Sequence, residues 1–162
     1  EKIQAAKQAL ENSYSTSAFI STAQLLADAD EVWKAYAKAG LITDHETGDT
    51  GNNYSFSQCT WWVYIRRHQL GLTAGSLMGN GNQWANTARS LGYTVSNTPM
   101  VGDVMVFAAG QEGSDGYYGH VAIVEAITTD GSVITSECGA SRNGQPYSRV
   151  ISDPSRFEYI HY

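Results

Sequence analysis

Apolar side chains recur at helical spacing through the first forty residues. Ile3, Ala6 and Leu10 share one face, Phe19, Ala23 and Leu26 another, and Trp33, Tyr36 and Ala37 a third. Three short helices are predicted, with Asp30 placed to cap the last and Gly40 to close it. The polar run "TDHETGDTGNN" then reads as a connector. In "SQCTWWVYIRRHQLG" the centre has strand propensity, but the flanks argue for a helix. Ser55 or Ser57 can cap its start, Arg66, Arg67 and His68 complement its C-terminal dipole, and Gly71 stops it. Apolar residues on nearly every side make this a buried helix. A further helix over "NQWANTARSLG" ends at Gly92, after which the period changes from helical to two. "GDVMVFAA", "GHVAIVEAIT", "GSVITSEC" and "RFEYIHY" read as antiparallel strands. Helices followed by a sheet predict an α+β fold, and no internal repeat or low-complexity tract interrupts the order.

A chain of 162 residues with 42% hydrophobic content fits one globular core. Its net charge of -6 opposes binding to nucleic-acid phosphate or anionic lipid, and no basic cluster exceeds Arg66 and Arg67. No apolar run reaches membrane-spanning length, so no membrane insertion by this segment is expected. The opening "EKIQAAKQAL" carries neither an initiator Met nor the basic and apolar regions of a targeting signal, and we expect a fragment of something longer. The two cysteines make no disulfide framework and no Cys-x-x-Cys pair. The acidic connector lacks the spacing of a calcium loop, and no metal is assigned to it.

A cysteine in the first turn of a helix lies beside unpaired backbone N–H groups and the positive end of the dipole, which favour a thiolate. Cys59 holds such a position, although a lone cysteine is also a common core residue. His120 opens a strand on which Ala122, Val124 and Ala126 share its face, leaving room for a nucleophile-bearing helix to approach. A hydrogen-bonded core histidine would show the same pattern. In "TTDGSV" an Asp-Gly turn of two residues would set Glu137 opposite Val124, hence on the face of His120, with Cys138 on the other. The distance is then too long, roughly 13 Å at about 3.3 Å per residue, so a slip of two or four residues is required. Jointly the three residues suit acyl transfer: Cys59 as nucleophile, His120 as base and then acid, Glu137 orienting the imidazole.

The segments "QCTWWV", "WANTARSLGYTVSNTPMVGDVMVF", "YGHVAIVEAI", "VITSEC" and "FEYIHY", in this order, resemble a CHAP domain, a cysteine, histidine-dependent amidohydrolase/peptidase. The resemblance covers residues 52–162 and matches Cys59, His120 and Glu137 to the family's catalytic positions. It implies a papain-like fold with helices packed on a C-terminal antiparallel sheet, residues 46–162 as the catalytic domain and 1–45 as a helical segment or linker. It also implies cleavage of an amide bond in peptidoglycan without a cofactor, by an N-acetylmuramoyl-L-alanine amidase or an endopeptidase. An extracellular or cell-wall location and further modules in the parent protein, an autolysin, phage lysin or wall-opening component of a conjugation or secretion machine, would follow. Many relatives carry Asn two positions after the acid; here that place is Gly139, with Asn143 a distant substitute. The Cys59 backbone N–H, with Gln58 and Tyr54, is the candidate oxyanion stabiliser, and Trp61, Trp84, Tyr117, Tyr118 and Tyr147 are candidates to line a sugar-peptide groove. Two alternatives stand beside this reading: an inactive CHAP-like module that binds wall peptide, and a zinc site of Cys59, Cys138, His120 and His161.

Overall fold

A computed structural model of the chain describes residues 49–72 and 74–161. The three helices expected within residues 2–40 and the boundary at residue 45 lie outside the described residues. The buried helix is α1, Cys59–Gln69. A 3-10 turn at Gly81–Gln83 leads directly into α2, Trp84–Ser90. Six strands follow: β1 Thr94–Ser96, β2 Val104–Phe107, β3 His120–Ile127, β4 Val133–Ser136, β5 Val150–Ile151 and β6 Glu158–His161. They form one sheet in the order β1-β6-β2-β3-β4-β5, and each neighbouring pair is antiparallel. The fold is α+β and papain-like, as expected. The short edge strands β1 and β5 escaped the sequence pattern because two or three residues carry too little periodicity. No helix among the described residues is long and apolar enough to cross a membrane.

Alternation in β2 and β3 splits the core into two layers. Val104, Val106, Val121 and Ile123 face the helices and meet Val63, Met78 and Trp84. Met105, Phe107, Ala122 and Val124 face the other way and meet Phe157 and Tyr159. Helix α1 therefore packs on the face of Val121 and Ile123, not on the small-residue face of Ala122 and Val124 as expected. The larger side chains bury more apolar area against Val63, and that burial selects the face. A buried polar chain fixes the docking. Arg66 Nε and a terminal nitrogen donate to both oxygens of Glu125 at 2.8 and 3.2 Å, Ser136 Oγ donates to Glu125 at 2.6 Å, and Trp62 Nε1 donates to Ser136 at 3.0 Å. Arg66 and Arg67 are accordingly buried rather than solvated at the helix end, and Arg67 donates to the Gly102 carbonyl at 3.2 Å.

The start of α1 also differs from expectation. Gln58 holds the cap position without a side-chain cap bond. Ser57 has a left-handed φ of 69°, and its Oγ donates to the Gly139 carbonyl at 2.7 Å and accepts from Gly144 N–H at 2.8 Å. Those bonds turn the serine away from the helix and tie the chain ahead of Cys59 to the loop after β4. The helix ends as expected, at Gly71 with φ +77°.

The β3–β4 hairpin sets the position of Glu137. Its connection is five residues long, 128–132, closed by Thr128 N–H to Ser132 O at 2.8 Å, so Ile127 pairs with Val133. Glu125 then bulges, because Ala126 pairs with Ile134 but Val124 pairs with Thr135. Relative to a two-residue turn, the longer connection and the bulge each move β4 by one step. Glu137, the next residue after the Ile123–Ser136 pair, comes level with Ala122 instead of Val124. A one-step slip would have turned it to the wrong face. Two steps keep the face and bring the carboxylate to the ring of His120.

Candidate active site

Cys59 is the first residue of α1 and is half-buried, while His120 is the first residue of β3. Two glycines allow the chain to close around the histidine. A Cβ at Gly81 would stand 2.8 Å from the His120 backbone N and Cα. Gly119, at φ +65°, would place one 2.5 Å from the Phe107 carbonyl oxygen. Backbone therefore closes in around His120 from two sides. The Phe107 ring meets the imidazole edge-on, with centroids 5.1 Å apart.

His120 Nε2–H donates to Glu137 Oε1 at 2.8 Å, and the Cys59 thiol is within hydrogen-bonding reach of the same ring. With Nε2 engaged, Nδ1 is the nitrogen left for the sulfur. Because His120 stands at the end of its strand, the ring reaches around that end to the head of a helix packed on the opposite layer. Glu137 is fully buried and saturated with donors. Arg149 forks onto it, Nε to Oε2 at 2.8 Å and a terminal nitrogen to Oε1 at 2.7 Å, and Thr135 Oγ1 also donates to Oε2. The guanidinium lies over the Phe107 ring at 5.2 Å.

Burial alone would raise the carboxyl pKa, but the hydrogen bonds from His120, Arg149 and Thr135 hold it down to about 2. Burial alone would likewise lower that of His120, yet the hydrogen bonds and charges of Cys59 and Glu137 lift it to about 9. At neutral pH the centre of the site is an imidazolium between a sulfur and a carboxylate. Sequence reading missed Arg149, which stands twelve residues beyond Glu137 in "QPYSRV", and Thr135, two residues before it on the same strand face.

The Cys59 and His120 side chains open onto a cleft of about 490 Å³ bordered by Tyr54, Gln58, Asn80, Asp115, Tyr118 and Gly139. Of the substrate-contacting residues expected from sequence, Gln58, a candidate oxyanion stabiliser, and Tyr118, a candidate groove residue, are exposed and border this cleft. Tyr54 also borders the cleft. Its hydroxyl donates to the Gly75 carbonyl at 2.5 Å and accepts from Met78 N–H at 3.0 Å, which commits it away from an oxyanion. Trp84 is 0% exposed in the core, with Nε1 donating to the Gly79 carbonyl, so it offers no surface to a ligand. Trp61 packs edge-on against Phe56, and Tyr147 lies beneath Arg142 while its backbone exchanges two hydrogen bonds with Glu137. Neither borders the cleft. Tyr117 stands in a neighbouring cleft. Asn143 is exposed in a left-handed conformation outside the cleft, and Gly139 lines it without a side chain.

Of the four residues considered for zinc, Cys59 and His120 meet, but Cys138 and His161 are engaged elsewhere. Cys138 is buried, with its sulfur 3.6 Å from Ser57 Oγ, and His161 pairs with Asp103 at 2.8 Å on β6. Among the described residues no three His, Cys, Asp or Glu side chains converge as metal ligands. His68 pairs with Asp49 at 2.6 Å.

The chain is similar to several known proteins. Over 111 residues the chain is 39% identical to "Probable autolysin LDP" of Staphylococcus aureus, an overlap of 68% of this chain and 38% of that protein. It is 42% identical over 113 residues to staphylococcal secretory antigen SsaA, covering 68% of this chain and 41% of the other. A crystal structure of an N-acetylmuramoyl-L-alanine amidase from Staphylococcus aureus superposes with a TM-score of 0.65 at 36% identity, over 74% of this chain and 34% of that one. The chain thus spans well under half the length of these relatives. Residues 49–139 match the CHAP domain, and with the match running from ahead of Cys59 through Glu137, this chain belongs to the CHAP domain family.

Proposed function

We propose that this domain hydrolyses an amide bond of bacterial peptidoglycan by a thiol mechanism. The observation that carries the reading is a single imidazole held between Cys59 and a fully buried carboxylate, at the floor of an open cleft. The thiolate of Cys59 adds to the carbonyl carbon and the carbonyl electron pair moves to oxygen, where first-turn N–H groups of α1, that of Cys59 among them, stabilise the oxyanion. Collapse of this intermediate breaks the C–N bond as the imidazolium gives its Nδ1 proton to the leaving amine, and a thioester remains. Water then loses a proton to Nδ1 and attacks the thioester, releasing the carboxylic acid and restoring the sulfur anion beside the imidazolium. Glu137 holds the ring through Nε2 and Arg149 holds Glu137.

Exposure at the cleft supports Gln58 and Tyr118 as the side chains of the expected set that touch substrate. Relatives named autolysin and N-acetylmuramoyl-L-alanine amidase favour a wall substrate, an extracellular or wall location, and a parent protein with further modules. Digestion of purified sacculi by the chain and by its Cys59→Ala variant tests the proposal. Loss of activity by about 1,000-fold or more is expected for removal of a nucleophile. Equal solubilisation by both proteins would eliminate the mechanism and leave a wall-binding module. Mass spectra of the released fragments separate amidase from endopeptidase cleavage.

A further inference from the structure

Beside the catalytic cleft, and meeting it at Asn80, lies a second cleft of about 520 Å³. Its border is made of carboxamides, hydroxyls and one aromatic ring, with no charged side chain. The carboxamides are tied at one end. Gln83 Oε1 accepts from Asn80 N–H at 2.8 Å, Asn86 Oδ1 accepts from Arg89 at 2.8 Å, and Asn82 Nδ2 donates to the Tyr117 carbonyl at 2.9 Å. Each therefore keeps its other end for a ligand: NH2 donors on Gln83 and Asn86, a carbonyl acceptor on Asn82. The wall between the clefts is rigid, since Asp115 Oδ1 accepts the N–H groups of Tyr117 and Tyr118 at 2.8 and 2.7 Å and the two rings meet edge-on at 4.8 Å. Tyr118 borders the first cleft and Tyr117, 76% exposed, the second.

We propose that this second cleft is a saccharide subsite, taking a neutral N-acetylated amino sugar of the glycan strand while the reacting amide occupies the cleft at Cys59. The ligand's identity rests on the peptidoglycan reading above. Three features favour the sugar over the stem peptide. Stem peptides carry carboxylates, and the lining holds no cation to meet one. Fixed amide donors and acceptors match hydroxyl and acetamido groups, and their prior immobilisation lowers the entropy lost on binding. An exposed tyrosine ring offers the apolar C–H face of a pyranose a flat partner without desolvating a charge.

The test is titration of the isotope-labelled full chain with tri-N-acetylchitotriose, which contains no stem peptide, and separately with a free stem tetrapeptide. The saccharide is expected to shift the amide signals of Gln83, Asn86 and Tyr117. Gln83→Ala and Asn86→Ala should each weaken it about five-fold, the factor for one lost hydrogen bond. Tyr117→Ala, at an exposed position, provides a third variant whose fold is not at risk, with weakening again expected. Saccharide shifts absent from these residues, or the same shifts produced by the tetrapeptide, would overturn the subsite. Binding needs no turnover, so wall digestion that depends on Cys59 but proceeds without saccharide binding here sinks the subsite and spares the hydrolase. Saccharide binding at these residues with no Cys59-dependent digestion upholds the subsite and removes the hydrolase.

Discussion

Glu137→Gln removes the negative charge 2.8 Å from His120 Nε2 and keeps a carbonyl oxygen to accept its N–H. The imidazolium that would protonate the leaving amine in the proposed mechanism exists below the His120 pKa, held up at about 9 by its bonds to Cys59 and Glu137. An opposite charge in direct contact shifts a titration by about 1–3 units, or roughly 1.4–4 kcal/mol between the two protonation states. Arg149, left without its carboxylate, acts in the same direction by repelling the imidazolium. Activity on sacculi, followed by loss of turbidity, should fall on the alkaline side around pH 9 for the parent chain, and about 1–3 units lower for the variant. The same group links stability to pH. Because its folded pKa is raised above 6.5, its contribution is complete below 6.5 and is lost as the pH rises through about 9. An alkaline limb that coincides in the two proteins would refute the claim that Glu137 sustains the imidazolium.

Two further substitutions probe the supports of the site. Arg149→Met leaves the buried Glu137 carboxylate with His120 as its one cationic partner. Breaking a fully buried pair removes about 3–5 kcal/mol, and the 28% exposure of Arg149 discounts this to about 2 kcal/mol. Urea denaturation measures it, and an unchanged midpoint would contradict the clamp. Gly81→Ala forces a methyl group to within 2.8 Å of the His120 backbone, an overpacking expected to destabilise by about 1–3 kcal/mol and to lower kcat by displacing the base. A variant with parental melting temperature and kcat would show that the two segments separate freely.

Helix α1, which carries Cys59, was legible because its flanks outweigh the strand propensity of Trp61 to Ile65. The side of the sheet that carries Glu137 was legible from parity. Its distance from His120 was not, since the bulge at Glu125, whose carboxylate is buried against Arg66, leaves no local sequence mark. Arg149 was invisible for a related reason: the loop after β4 returns it to Glu137, and loop closure is a tertiary property. The small-residue face of β3 misled because open space on a strand was taken as the helix's landing place, whereas Val121 and Ile123 gain more from its cover. Trp84 was assigned by residue type to the groove, although its position at the head of α2 buries it against Tyr54.

The pairing between β3 and β4 carries a counting rule. A one-residue slip in the pairing of the return strand, with the bulge retained, would turn its faces over and offer the imidazole a hydroxyl from Ser136 or a thiol from Cys138 in place of the carboxylate. Slips of even size, or an odd slip offset by straightening at Glu125, would keep the carboxylate on the imidazole's face of the sheet. The pleat alone therefore restricts this pairing to registers of one parity, whatever the length of the loop that joins the strands.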